Sequence, residues 1–211
     1  MSRQAPLRSN SRIMESLMEK FWLRSYPAGV PHDIDPGQYS SLVQLLEESF
    51  RKNATQPFSV CMERWMSYRQ LDELSAALGA WLQRLGLEPG ARVAIMLPNI
   101  PQFAVTMAAI LRAGYTCVNV NPLYTARELE HQLKDSGATA IVVLENFAHT
   151  LEEVIARTPV KHVVLTAFGD LLGPWYGRWL TFAVRHLAKM VPPFRLPVNE
   201  GSTVTPFRKA L

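Results

Sequence analysis

Apolar and polar positions alternate in a fixed order between residues 92 and 144. Three short β-rich runs, Val93–Leu97, Thr116–Val120 and Thr139–Leu144, are separated by helical periodicity over Pro101–Ala113 and Ala126–Asp135. Strand, helix, strand, helix, strand at this spacing predicts βαβ units, and hence a parallel sheet covered by helices. The runs VAIML and AIVVL are almost wholly apolar, the pattern of strands buried on both faces. With right-handed crossovers the result is α/β, a doubly wound, mostly parallel sheet with flanking helices. A helix from about Phe147 to Arg157 and a strand at Lys161–Thr166 repeat the unit once more.

Upstream, helical periodicity starts at Ser11 with Ile13, Leu17 and Phe21 four apart, until Pro27, Gly29 and Pro31 end it. Ser41 followed by Gln44 predicts a capped helix lined by Leu42, Leu45, Leu46 and Phe50. A hairpin is expected over Phe58–Met62 and Arg64–Met66. Ser67 with Gln70 opens a longer helix, with Leu71, Leu74, Leu78, Leu82 and Leu85 on one side and Gly86 as its cap. Thr125 with Glu128 makes a third capping box, and Gly114 and Gly137 end the crossover helices. Beyond Phe168 the character changes. The expected division is a helix and irregular lead-in over 1–40, an α/β core over 41–168, and an amphipathic basic segment with an irregular, proline-rich tail over 169–211.

Composition narrows the classes. A chain of 211 residues with 48% hydrophobic and 19% charged residues can bury a core as one globular domain with a tail. The net charge of +4 is spread along the chain rather than gathered among aromatics, so no nucleic-acid partner is expected. Cys61 and Cys117 stand in apolar runs without metal spacing or a neighbouring base, and are expected as buried free thiols in a reducing compartment. No signal peptide is expected. The uncharged stretch Val93–Leu111 is broken by Pro98, Asn99 and Pro101, so it cannot be one membrane-spanning helix.

Candidate chemistry is sparse. The chain contains neither GxGxxG nor GxxxxGK[ST]. The run after the first core strand, Pro98-Asn99-Ile100-Pro101, offers few free backbone N–H groups to a phosphate. Asn119, Asn121, Tyr124 and Thr125 read as turn and cap chemistry, against a rival reading as the polar rim of a crevice. Glu128 and His131 have di-iron spacing but lack the second copy such a site needs, and read as a solvated helix face. His32, His149, His162 and His186 have no triad partners around them.

Residues 175–191 carry one further signal. At 100° per residue, Arg178, Arg185 and Lys189 fall within a stripe of about 40°, beside a face of Trp175, Trp179, Phe182, Leu187 and Met190. Two readings stand. One is contact of Trp175, Arg178, Trp179, Phe182, Arg185 and Lys189 with an anionic membrane surface; the other is a helix packed on its own domain.

Several stretches carry a family resemblance. NVNPLYTARELEHQLKDSGATAIVV (119–143) closely resembles a segment of bacterial long-chain-fatty-acid–CoA ligases, members of the adenylate-forming superfamily. ARVAIMLPNIPQFAVTMAAILRAG (91–114), FWLRSYPAGVP (21–31) and NFAHTLEEVIARTPVKHVVLT (146–166) are similar to the same family. MSYRQL (66–71) and LRAGYTCVNVNP (111–122) resemble the first two core motifs of the superfamily. The resemblance implies the N-terminal subdomain of the adenylate-forming fold, truncated. It also implies an intact enzyme that uses Mg-ATP to adenylate a long-chain fatty acid and then transfers the acyl group to coenzyme A. The phosphate loop of the family, YTGGTTGxxKG, is expected only beyond Leu211, with the other catalytic segments later still. No catalytic, cofactor-binding or metal residue therefore carries over, and this chain alone is expected to be inactive and to bind none of ATP, Mg or coenzyme A. A cytoplasmic location is expected, with peripheral contact on the inner face of the cell membrane where the membrane reading of 175–191 holds, and a cut domain is expected to self-associate through the apolar surface its missing half would cover. The alternative is a non-catalytic interaction or regulatory module from a split or decayed ligase gene.

Overall fold

The computed structural model describes residues 20–196 and 202–211, so the helix expected from Ser11 lies outside the described residues apart from its last positions. The chain divides into two units, 1–40 and 41–211. In the first, a 3-10 turn at Phe21–Ser25 leads into irregular backbone, Lys20 meets Asp33 at 3.3 Å, and Tyr26 packs edge-on to His32.

The second unit begins with α1 (Leu42–Lys52), the hairpin β1 (Pro57–Cys61) and β2 (Arg64–Ser67), and α2 (Tyr68–Arg84). Then follow β3 (Arg92–Met96), α3 (Pro101–Arg112), β4 (Thr116–Asn119), α4 (Ala126–Ser136) and β5 (Ala140–Leu144). The chain continues through α5 (Ala148–Val154), β6 (His162–Thr166), α6 (Pro174–Phe182), β7 (Thr203–Pro206) and α7 (Phe207–Ala210). The caps are local chemistry. Ser41 accepts from the Gln44 N–H, and Ser67 with Gln70 and Thr125 with Glu128 each satisfy one another's first-turn donors. Leu42, expected on the packed face of α1, is exposed in its first turn, whereas Phe50 is buried. The helix expected over 147–157 is shorter, with 3-10 turns at Glu145–Phe147 and Ile155–Arg157 flanking α5.

β3 to β7 form a five-stranded sheet in the order β4-β3-β5-β6-β7, and every neighbouring pair is parallel. Side chains on a strand alternate between faces, and here the two faces separate cleanly. Val93, Ile95, Val142, Leu144 and Val164 pack with α2, α3 and Phe207 of α7. Ala94, Met96, Ile141, Val143 and Val163 pack with Leu129 and Leu133 of α4 and Leu151 and Val154 of α5. Each fully buried Val, Leu or Ile contributes about 1.5–3 kcal/mol, so both faces of β3 and β5 are anchored strongly. Arg112 braces one layer from α3. Its Nη1 donates to the Asp72 carboxylate at 2.8 Å, the Asp72 carbonyl at 2.9 Å and Ser75 Oγ at 2.9 Å.

Two expectations need correction. Residues 203–206 are a strand, not irregular tail, paired to β6 from His162↔Thr203 to Leu165↔Pro206. Cys61 and Cys117 are free but only half-buried, because β1 belongs to a two-stranded hairpin and β4 is an edge strand.

Candidate functional site at the carboxyl ends of the strands

The order β4-β3-β5 reverses direction at β3: one connection runs to the strand on its left, the next to the strand on its right. In an open α/β sheet such a reversal leaves a crevice beyond the carboxyl ends of the two strands, where ligands bind. A cavity of about 350 Å³ lies there, lined by Pro98 after β3, Leu144 and Phe147 at the end of β5, Phe168 after β6, and Val184 and Met190 from across the crevice. Its lining is overwhelmingly apolar. Asn146 is the polar group in the wall; its Nδ2 donates to the Met190 carbonyl at 2.9 Å, while its Oδ1 is buried without a partner.

The far wall is a strap. After α6 the helix widens into a π turn, Ala183–Leu187, closed by the Ala188 N–H to the Ala183 carbonyl at 2.8 Å. Lys189 then takes a left-handed conformation, φ +51°, and the Met190 N–H reaches the Val184 carbonyl at 3.0 Å. An ion pair with a buried carboxylate fastens the strap to the sheet. Glu145, first residue beyond β5, is only 2% exposed, and its Oε2 accepts from both Nε (2.8 Å) and Nη2 of Arg185. This contact holds the Arg185 guanidinium firmly protonated. The root of α6 is fixed by backbone proximity: Gly177 sits against Gly169 so closely that a Cβ on either would overlap the carbonyl oxygen of the other.

These facts change the expected basic stripe. Arg185 is turned to Glu145, the wider turn shifts the register after Phe182, and Lys189 lies past the helix end, so Arg178, Arg185 and Lys189 do not continue one straight line. The aromatic half is present: Trp175 is 81%, Trp179 60% and Phe182 53% exposed. Tyr176 stacks on Trp179 and lies under Arg64 of the hairpin. Among the described residues no helix is long and apolar enough to cross a membrane.

Of the remaining candidates, Asn121, Thr125 and Glu128 have structural partners. Asn121 Oδ1 accepts from the Leu123 N–H at 3.0 Å, as a turn residue does, and Thr125 caps α4. Glu128 spends its carboxylate on Thr125, whose hydrogen bonds lower its pKa. His131 is exposed, and no group of metal-ligating side chains forms among the described residues. Burial pushes the Cys61 and Cys117 thiols up, so neither is disposed to act as a thiolate. The turn after β3 offers a phosphate few backbone donors: Pro98 and Pro101 lack N–H groups, and the Ile100 N–H is already bonded to the Pro98 carbonyl at 2.8 Å. The buried Glu145 was not among the expected site residues, and its partner Arg185, 40 residues away, was expected to face outward rather than to pair with it. The only sequence signal was an acid directly after the apolar run AIVVL.

Residues 46–178 match the AMP-binding enzyme family. The long-chain-fatty-acid–CoA ligase of Yersinia pestis is 51% identical over 181 residues, 85% of this chain and 32% of that protein. The ligase of the same description from Escherichia coli O157:H7 is 52% identical over 181 residues, with the same coverage of 85% and 32%. The chain thus spans about a third of the length of these relatives. The crystal structure of a putative long-chain-fatty-acid CoA ligase from Rhodopseudomonas palustris shares the fold, with a TM-score of 0.59 and 18% identity, covering 85% of this chain and 36% of that one.

Proposed function

As the chain belongs to the AMP-binding enzyme family, we propose that it is the N-terminal portion of a long-chain-fatty-acid–CoA ligase. In this role it supplies the sheet scaffold and one wall of the acyl-binding region. The observation that carries the reading is the apolar cavity at the reversal of the sheet, whose lining suits a hydrocarbon chain and offers a single polar side chain. In the whole ligase ATP, Mg and coenzyme A would act at segments outside these residues, and this portion alone does not form an acyl-adenylate. Calorimetric titration tests both halves of the proposal. Oleate should bind saturably and lose its binding in Val184→Trp, which fills the cavity, whereas ATP should give no heat of binding. Failure of oleate to bind removes the acyl wall, and palmitate-dependent exchange of pyrophosphate into ATP by this chain would overturn its inactivity.

A second role is supported by the exposure of Trp175, Trp179 and Phe182 beside Arg178 and Lys189: peripheral contact with the inner, anionic face of the cell membrane. Arg185, held by Glu145, contributes to the strap rather than to that surface. Flotation with phosphatidylglycerol vesicles should recover the wild type and lose Trp175→Glu/Trp179→Glu. If the same residues serve self-association instead, vesicles recover neither protein. The wild type then sediments above the monomer mass, and the double variant does not.

A further inference from the structure

A second cavity, of about 320 Å³, lies between α6, the turn after β6 and α7, on the side of the strap away from the apolar crevice, and three arginines border it: Arg178, Arg185 and Arg208. Two are oriented from behind. Arg185 gives Nε and Nη2 to Glu145, and Arg208 gives Nε to Asp170 Oδ1 at 3.0 Å and Nη2 to the Gly169 carbonyl at 3.1 Å. A guanidinium carries five N–H donors in a planar fork, so each keeps both Nη1 hydrogens uncommitted. Asp170 is itself consumed, since its Oδ2 accepts from the Ala167 N–H at 2.8 Å and Thr166 Oγ1 at 2.9 Å. Arg178 has no hydrogen-bond or ion-pair partner among the described residues, and the cavity also presents the Thr181 hydroxyl and the His186 ring. The close Gly169–Gly177 approach brings the two arms together: Arg208 Nη2 lies 3.3 Å from the position a Cβ on Gly177 would take, one residue before Arg178.

We propose that this cavity is a binding site for a phosphate group, held by Arg178, Arg185 and Arg208 with Thr181 as an added donor. Three cations against the two carboxylates Glu145 and Asp170 leave an excess positive charge facing the opening. Forks arriving from three different elements suit a tetrahedral oxyanion better than a planar carboxylate, which one fork would saturate. The inference is independent of the ligase reading. The phosphate has two sources, a soluble phosphate or diphosphate, or a lipid headgroup delivered beside the exposed Trp175 and Trp179.

Calorimetry at low ionic strength with inorganic phosphate and with diphosphate, and sedimentation with vesicles of phosphatidic acid or of phosphatidylglycerol matched for charge, test the site. The variants are Arg178→Gln, which breaks no bond of the fold, and Lys209→Gln, which removes a neighbouring charge on α7 outside the cavity. A soluble source appears as saturable binding to the wild type that weakens by roughly tenfold or more in Arg178→Gln and is unchanged in Lys209→Gln. A headgroup source appears as preference for phosphatidic acid vesicles that Arg178→Gln abolishes and Lys209→Gln retains. Equal binding by wild type and Arg178→Gln in every arm overturns the site. An equal loss in both variants also overturns it, since that is the response of diffuse surface charge.

Discussion

Gly177→Ala should destabilise the domain by about 3 kcal/mol, at the upper end for inserting one methyl group into packed structure. Its backbone lies against the Gly169 carbonyl, and the obstacle is main chain rather than a flexible side chain that could swing aside. Strap and sheet must therefore separate, or the turn after β6 must be rebuilt. For a domain of this size the change corresponds to roughly 6–12 °C in Tm. Hydrogen exchange should accelerate across 174–187 while β3 and β5 stay protected. Gly169→Ala should behave alike, and the double variant should fall well short of the sum, because one methyl group already forces the separation. A Tm unchanged within about a degree in both single variants would contradict the proximity of these two backbones.

Arg185→Ala should show a loss of similar size for an electrostatic reason. It strands the Glu145 carboxylate, 2% exposed and ion-paired to no other cation among the described residues, and breaking one side of a buried pair costs about 3–5 kcal/mol. Arg185 itself is 46% exposed, so water can enter to solvate part of the stranded charge, and about 3 kcal/mol is the expected figure. Replacing both partners, Glu145→Leu with Arg185→Leu, should restore most of the denaturation midpoint, because no uncompensated charge remains. If Arg185→Ala matches the wild type in urea, the pair does not fasten the strap. The apolar cavity should respond together with stability: once the strap lifts, Val184 and Met190 leave its wall and oleate binding weakens.

The sheet was legible because its strands carry their burial in their composition. Val93–Met96 and Ala140–Leu144 are apolar on both faces, and both faces are covered. The helices between them were marked at both ends by Thr125 with Glu128 and by glycines such as Gly137, φ +64°. β7 was not legible. Four residues are too few to show a period, and a closing Pro206 argues for an edge or a loop equally. The strap was misread for a related reason. A wheel drawn at 100° assumes one uninterrupted α-helix, and the π turn at Ala183–Leu187 breaks that assumption where Arg185 must turn inward. Pairs such as Glu145–Arg185 and Gly169–Gly177 join segments far apart along the chain and leave no local periodicity to find. The apolar crevice has the strap as one of its walls. Its place at the reversal follows from strand order, which for β3, β4 and β5 was within reach of the pattern, but its lining depends on the strap, which was not.

The strand order also dictates how the polypeptide can assemble as it leaves the ribosome. β4 is placed on one flank of β3 and β5 on the other, and from β6 onward each new strand joins the edge left by the strand made before it, so none must be threaded between neighbours already joined. Until Thr203–Pro206 emerges, however, the outer edge of β6 remains open as an unprotected template for pairing with another nascent copy. Synthesis that pauses between residues 166 and 203 should therefore aggregate more than synthesis that pauses after residue 211.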